Sequence, residues 1–141
     1  MRGATLLELL SVMAIVGIVT AVAVPPVSRS LDRAAVNAAA DRYATLFEAA
    51  RGLAISRARF SRLVVDTARV ETAVLVADTA GAWDTLRVWS LGKVAVSASQ
   101  PIVVFSPLGM GWGVSNGRVI FARAAAAETL TVSRTGRLKR S

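Results

Sequence analysis

From Leu9 to Ser28 the chain runs through 20 residues without a charged side chain, and no other feature limits its fold so tightly. A helix of that length, rising about 1.5 Å per residue, spans about 30 Å, the hydrocarbon thickness of a bilayer. Directly before the run stands Glu8. A carboxylate costs roughly 2.5–3.5 kcal/mol at the centre of an inserted helix, so an acid at the margin of such a run marks a functional position.

Three readings compete for this N-terminus. A secretory signal peptide would use Arg2 as its basic region and Ala21-Val22-Ala23 as its cleavage site. Glu8 would then lie inside an apolar region longer than the usual ~7–15 residues. A plain single-span anchor gives Glu8 no role. The third reading takes Gly3 and Glu8 together.

The totals exclude several chemistries. With 141 residues the chain suits one domain, and a membrane-bound start leaves about 115 residues for a small water-soluble core. There is no Cys, hence no disulfide, thiolate nucleophile or Cys-based zinc site, and no His. No pair of acids stands out beyond ordinary helix-face charges, so the sequence offers no catalytic residues, no metal site and no cofactor site. The charge of +8, from 17 basic and 9 acidic residues, predicts attraction to polyanions: nucleic acid, anionic lipid or acidic polysaccharide.

Past the prolines Pro25 and Pro26, which are expected to break the helix locally, Ser30 offers an N-cap for a second helical stretch. There Val36, Ala40, Tyr43, Phe47, Ala50 and Ala54 recur at helical spacing, with Leu46 and Leu53 widening the face. Most charges, from Asp32 to Arg51, fall off it. This is the pattern of an amphipathic helix packed on a sheet.

After Phe60 the period becomes alternating. Short strands are expected at 63–66, 69–77, 86–91, 94–98, 102–105, 118–122 and 129–133, separated by turn-prone residues and an Ala-rich loop, Ala124–Ala127. A long helix followed only by β-structure gives an α+β domain with the helix across an antiparallel sheet. The GMGWG segment at 109–113 has neither a following helix nor a Lys-Ser/Thr. That argues against a phosphate cradle and for a tight turn with Trp112 packed on the domain.

The stretch RGATLLE at 2–8 resembles the processing site of type IV prepilins and type II secretion pseudopilins. That resemblance implies a leader at 1–3 and a prepilin peptidase in the inner membrane that cuts after Gly3 and N-methylates Ala4. Glu8 is then the fifth mature residue, the family's glutamate position; Ala4 departs from the usual Phe or Met. Gly17 and Pro25 also fall where the family carries helix-loosening residues. Cleavage would create an α-amino cation at Ala4, and a carboxylate one turn away, in the same or a neighbouring subunit, neutralises it. On this reading Glu8 is an assembly residue.

The order IVVFSPLGMG, NGRVIFA, ETLTVSRTGRLKRS resembles the GspH/FimT-type pseudopilin domain. The implied fold is pilin-like. It has a transmembrane and assembly half at 4–28, an amphipathic half at 29–60 and an antiparallel β domain at 61–141 with a basic tail. Two roles follow from the resemblance: a minor pilin that binds DNA for natural transformation through a C-terminal Gly-Arg-x-Arg motif, or a structural minor pseudopilin of a type II secretion system. Gly136 and Arg137 match the start of that motif; Lys139 stands at the second Arg position, with Arg140 one residue later. Lys keeps the charge but lacks the planar fork that grips phosphate. Arg134, Arg137, Lys139 and Arg140 are therefore the expected non-specific DNA contacts. In an extended tail Arg137 and Lys139 point one way and Arg140 the other. A solvated basic end of the sheet is the alternative, and Arg51, Arg57, Arg59 and Arg62 form a second basic group of unknown relation to it. The expected location is the inner membrane with the C-terminal domain periplasmic, then a periplasmic or cell-surface filament of pilins or pseudopilins.

Overall fold

The computed structural model describes residues 5–141, the side chains of residues 22–25 excepted. Gly3 and Ala4 lie outside the described residues. Helix α1 runs from Leu6 to Ser56 without interruption. Its start is closed by a reciprocal cap. The Thr5 backbone N–H donates to Glu8 Oε2 at 3.0 Å, and the Glu8 N–H donates to Thr5 Oγ1 at 3.3 Å. Two of the helix's orphan N–H groups are thereby satisfied.

The helix does not end at the prolines, nor does a second one start at Ser30: α1 passes through both. Each proline removes one i→i−4 hydrogen bond. The apolar run before them and the Ala-rich run after them each extend a helix already formed, and propagation is far easier than a new nucleus. From Leu6 to Val19 the large apolar side chains are exposed, and this half is long and apolar enough to cross a membrane.

The second half behaves as its period requires. Val36, Ala40, Tyr43, Leu46, Phe47, Ala50 and Ala54 are buried, with Ala39 beside them and Leu53 partly covered. They pack on two antiparallel sheets. The first contains β1 (Ser61–Asp66), β2 (Glu71–Ala77), β3 (Trp83–Ser90), β5 (Ile102–Phe105) and β6 (Gly111–Trp112), in the order β3-β2-β1-β5-β6. The second contains β4 (Ala95–Ala98), β7 (Gly117–Arg123), β8 (Ala126–Val132) and β9 (Leu138–Arg140), in the order β4-β7-β8-β9.

An aromatic chain joins the two sheets through the helix. Phe121 of β7 meets Tyr43 at 5.8 Å between ring centroids, Tyr43 meets Phe47 at 6.4 Å, and Phe47 meets Phe105 of β5 edge-on at 4.9 Å. Such contacts add to the burial that holds helix and sheets together. The Ala-rich segment is not a loop. Only Ala124 and Ala125 turn, Ala124 with φ 49°, and Ala126 already pairs with Arg123. Alanine's modest strand preference is overridden by the two-residue hairpin that joins β7 to β8.

Candidate functional site

The alternation of β7, β8 and β9 sorts the basic C-terminal residues onto two faces. Val119, Phe121, Leu130 and Val132 point to the helix and are buried, whereas Arg118 and Thr131 are exposed on the opposite face. The register pairs Arg118 with Thr131 and Thr131 with Lys139. Residues directly paired across antiparallel strands share a face, their Cβ atoms about 5 Å apart. Lys139, Thr131 and Arg118 therefore form one transverse row across three strands. Ser99 continues it, because its hydroxyl accepts the Arg118 N–H at 2.9 Å. An open groove of about 470 Å³ lies along this row, lined among others by Ser97, Ser99, Asn116, Arg118 and Thr131. It combines one guanidinium with hydroxyl and amide groups, a set suited to phosphate oxygens.

Arg140 goes the other way. It pairs with Leu130 in register, and so faces the helix. Its guanidinium donates to Glu128 and Asp41 carboxylates, the latter at 2.7 Å, and to Asn37 Oδ1 at 3.1 Å. The bond to Glu128 is the main cause of a pKa raised above the ordinary arginine value. Arg140 is thus neutralised on the protein, while Arg118, Arg134, Arg137 and Lys139 have no ion pair among the described residues. The division of the tail into opposite faces holds for Lys139 and Arg140; Arg137 precedes the strand, exposed in the turn.

Between β8 and β9 the chain folds back at 133–137. The Ser133 N–H donates to Arg137 O at 2.9 Å, and the Gly136 N–H donates to Ser133 O at 3.0 Å. Gly136 is buried with φ +72°, and a Cβ there would stand 3.0 Å from Gly109 O. Positive φ and a close neighbouring carbonyl both call for glycine. The Gly-Arg pair therefore has a backbone reason for its first member, and the turn presents Arg134 and Arg137 outward.

Of the second basic group, Arg51 reaches this turn. Arg51 Nε donates to the same Gly109 O at 2.9 Å, the carbonyl that Gly136 lies against. Arg51 also pairs with Glu48 at 3.9 Å, and Arg62 lies over the Trp83 ring at 4.4 Å. Trp112 is not packed into the domain as expected: it is 61% exposed, with a T-shaped contact to Phe60. Trp112 pairs with Val104, and so shares the face opposite the buried Val103 and Phe105. Gly109 (φ +75°) sits under Ile55 and Gly111 against Ser115 and Arg134 O.

Arg118 was the functional candidate hidden in the sequence. It sits 19 residues before Arg137, inside a strand, and only the hairpin register brings it to the tail. The two-residue turn at Ala124–Ala125 was the signal: counting back from it pairs Arg118 with Thr131.

No family model matches the chain, and no curated protein matches it. Solved structures do. The minor pseudopilin EpsH from the type II secretion system of Vibrio cholerae aligns with a TM-score of 0.65 at 9% identity, covering 77% of this chain and 94% of that one. The type IV minor pilin FimU of Pseudomonas aeruginosa aligns with a TM-score of 0.64 at 15% identity, covering 83% of this chain and 92% of that one. The fold, one long N-terminal helix on antiparallel sheets, is pilin-like and is shared with both a secretion pseudopilin and a pilus subunit.

Proposed function

We propose that the chain is a minor pilin or pseudopilin that binds DNA without reading its sequence. Residues 4–28 anchor it in the inner membrane, where prepilin peptidase removes 1–3 and N-methylates Ala4. The same apolar segment then packs with other pilins in a filament, Glu8 neutralising the new amine. The amphipathic half, 29–60, carries the domain at 61–141 into the periplasm or to the cell surface, where its role is natural transformation.

The observation behind the DNA reading is the outward row of Lys139, Thr131 and Arg118, extended by Arg137 and Arg134 at the turn. Its four cations have no carboxylate partner among the described residues, and a flat row of cations and hydroxyls contacts phosphates wherever they occur. The test is a binding titration of the full chain, in nanodiscs of uncharged lipid, against unrelated duplex DNA over a range of salt. Four neutralised phosphates give a log–log salt slope of about −3.6. A flat salt dependence, or unchanged binding by an R118A/R137A/K139A variant, would remove the phosphate account.

The likeness to EpsH favours a second reading, a structural minor pseudopilin of a type II secretion system that contacts only protein neighbours. In that case the same titration finds no DNA binding at any salt.

A further inference from the structure

The loop from Pro107 to Val114 leaves four apolar side chains open: Leu108, Met110, Trp112 and Val114, with exposures from 51% to 76%. An exposed apolar cluster of this kind marks a contact surface. Within it the indole is braced. Phe60 lies against it in a T-shaped contact, 5.4 Å between centroids with planes 68° apart. Ser115, itself buried, donates its hydroxyl to the Trp112 carbonyl. The neighbouring Gly111 is held so closely that a Cβ there would stand 2.7 Å from Ser115 Cβ and 2.9 Å from Arg134 O. The platform is therefore fixed in the backbone, and the residue next to it touches the basic turn.

Cations outnumber acids around the platform, the carboxylate of Glu48 being paired with Arg51 at 3.9 Å. No acid occurs between Asp84 and Glu128, and none follows Glu128. Glu128 is occupied by Arg140. Arg134 and Arg137 stand at the turn against Gly109 and Gly111, and Arg51 reaches the same place from the helix. A ligand for this surface must be anionic and must offer flat apolar faces. Duplex DNA presents phosphates but keeps its base faces stacked inside, whereas a single strand presents both. The cation row leads to the platform by way of the turn, so a linear polyanion that follows Arg118, Lys139 and Arg137 arrives at Trp112.

We propose that Trp112 is a base-stacking platform and that this end of the domain takes single-stranded nucleic acid. This rests on the DNA reading above and adds to it the form of the strand. An acidic protein neighbour on the apolar loop is the competing occupant.

The experiment uses the full chain in nanodiscs of uncharged lipid. In a W83F/W89F background Trp112 is the remaining one of three tryptophans, and its fluorescence is followed during titration with oligo-dT of about 15 nucleotides. Labelled oligo-dT and a duplex of equal length are then titrated by anisotropy against wild type, W112A and W112F. Stacking quenches the indole, and W112A weakens oligo-dT binding about 5- to 30-fold while duplex affinity stays within about twofold. W112F, which keeps a flat ring, retains most of the single-strand affinity. Duplex binding with an unquenched indole and a W112A variant equal to wild type on oligo-dT overturns the platform and leaves the loop to a protein contact. Absence of duplex and single-strand binding alike in the wild type overturns the DNA reading itself. Should W112A fail to fold, W112F and the quenching decide the question.

Discussion

The Arg140 guanidinium and the Asp41 carboxylate meet at 2.7 Å although 99 positions separate them in the chain. With Glu128 and Asn37 they fasten the last strand to the middle of the helix. Lys139, one residue earlier, is on the opposite face. Neighbouring cations of the same tail thus have different work, one holding the fold and the other free for a ligand.

That division predicts separable effects. Arg140→Ala costs about 1 kcal/mol, as expected for a network at a half-exposed site, and changes duplex DNA affinity less than about twofold. Lys139→Ala leaves the thermal midpoint unchanged and lowers the salt slope by about 1. Thermal melts and salt titrations of the two variants, run side by side, check both halves. An Arg140→Ala variant that lost as much DNA affinity as Lys139→Ala would undo the distinction.

Gly136→Ala is expected to destabilise the chain by about 1–2 kcal/mol. Its φ of +72° is unfavourable for any residue with a Cβ, and that Cβ would press on Gly109 O at 3.0 Å. Gly113, also at positive φ (+69°), has open space around it, so Gly113→Ala carries the conformational cost alone. Denaturant midpoints of the two variants should therefore rank Gly136→Ala as the more harmful.

Much of this was readable in advance, and the failures have physical causes. The buried stripe from Val36 to Ala54 declares itself because a helix repeats every 3.6 residues and few other arrangements fit. The basic tail was legible as charge. Its partition was only half legible: alternation separates Lys139 from Arg140, but nothing local says that Asp41 waits on the helix. The same limit hid Arg118, whose partner is set by hairpin register rather than by its neighbours. Pro25 and Pro26 misled because local propensity is a weak prior against a helix already growing from both sides.

Tyr43 gives a pH signature. Its hydroxyl is buried without a hydrogen-bond partner among the described residues, and burial pushes the phenol well above its ordinary pKa. The folded chain holds the proton that the unfolded chain releases above about pH 10. Stability is therefore full below that pH and falls as pH rises beyond it. Tyr43→Phe removes this decline. It also removes an unsatisfied polar group, so at neutral pH it raises stability by up to about 1 kcal/mol. Denaturant melts of both proteins near pH 7 and above pH 10 check the two expectations together.

Glu8 has two candidate contributions, and one substitution separates them. Its carboxylate closes the cap on Thr5 at 3.0 Å, a contact that needs an acceptor but no charge. Neutralising the amine that cleavage would create at Ala4 needs the charge. Glutamine serves the cap as well as glutamate does, so Glu8→Gln keeps the helix start and loses only the negative charge. If charge pairing governs assembly, Glu8→Gln and Glu8→Ala are both cleaved and both depleted from sheared filaments, to a similar degree. If the cap governs it, Glu8→Gln assembles like the wild type and Glu8→Ala alone is depleted. Immunoblots of processed protein in the filament and membrane fractions distinguish these patterns, and the proposed role of Glu8 predicts the first.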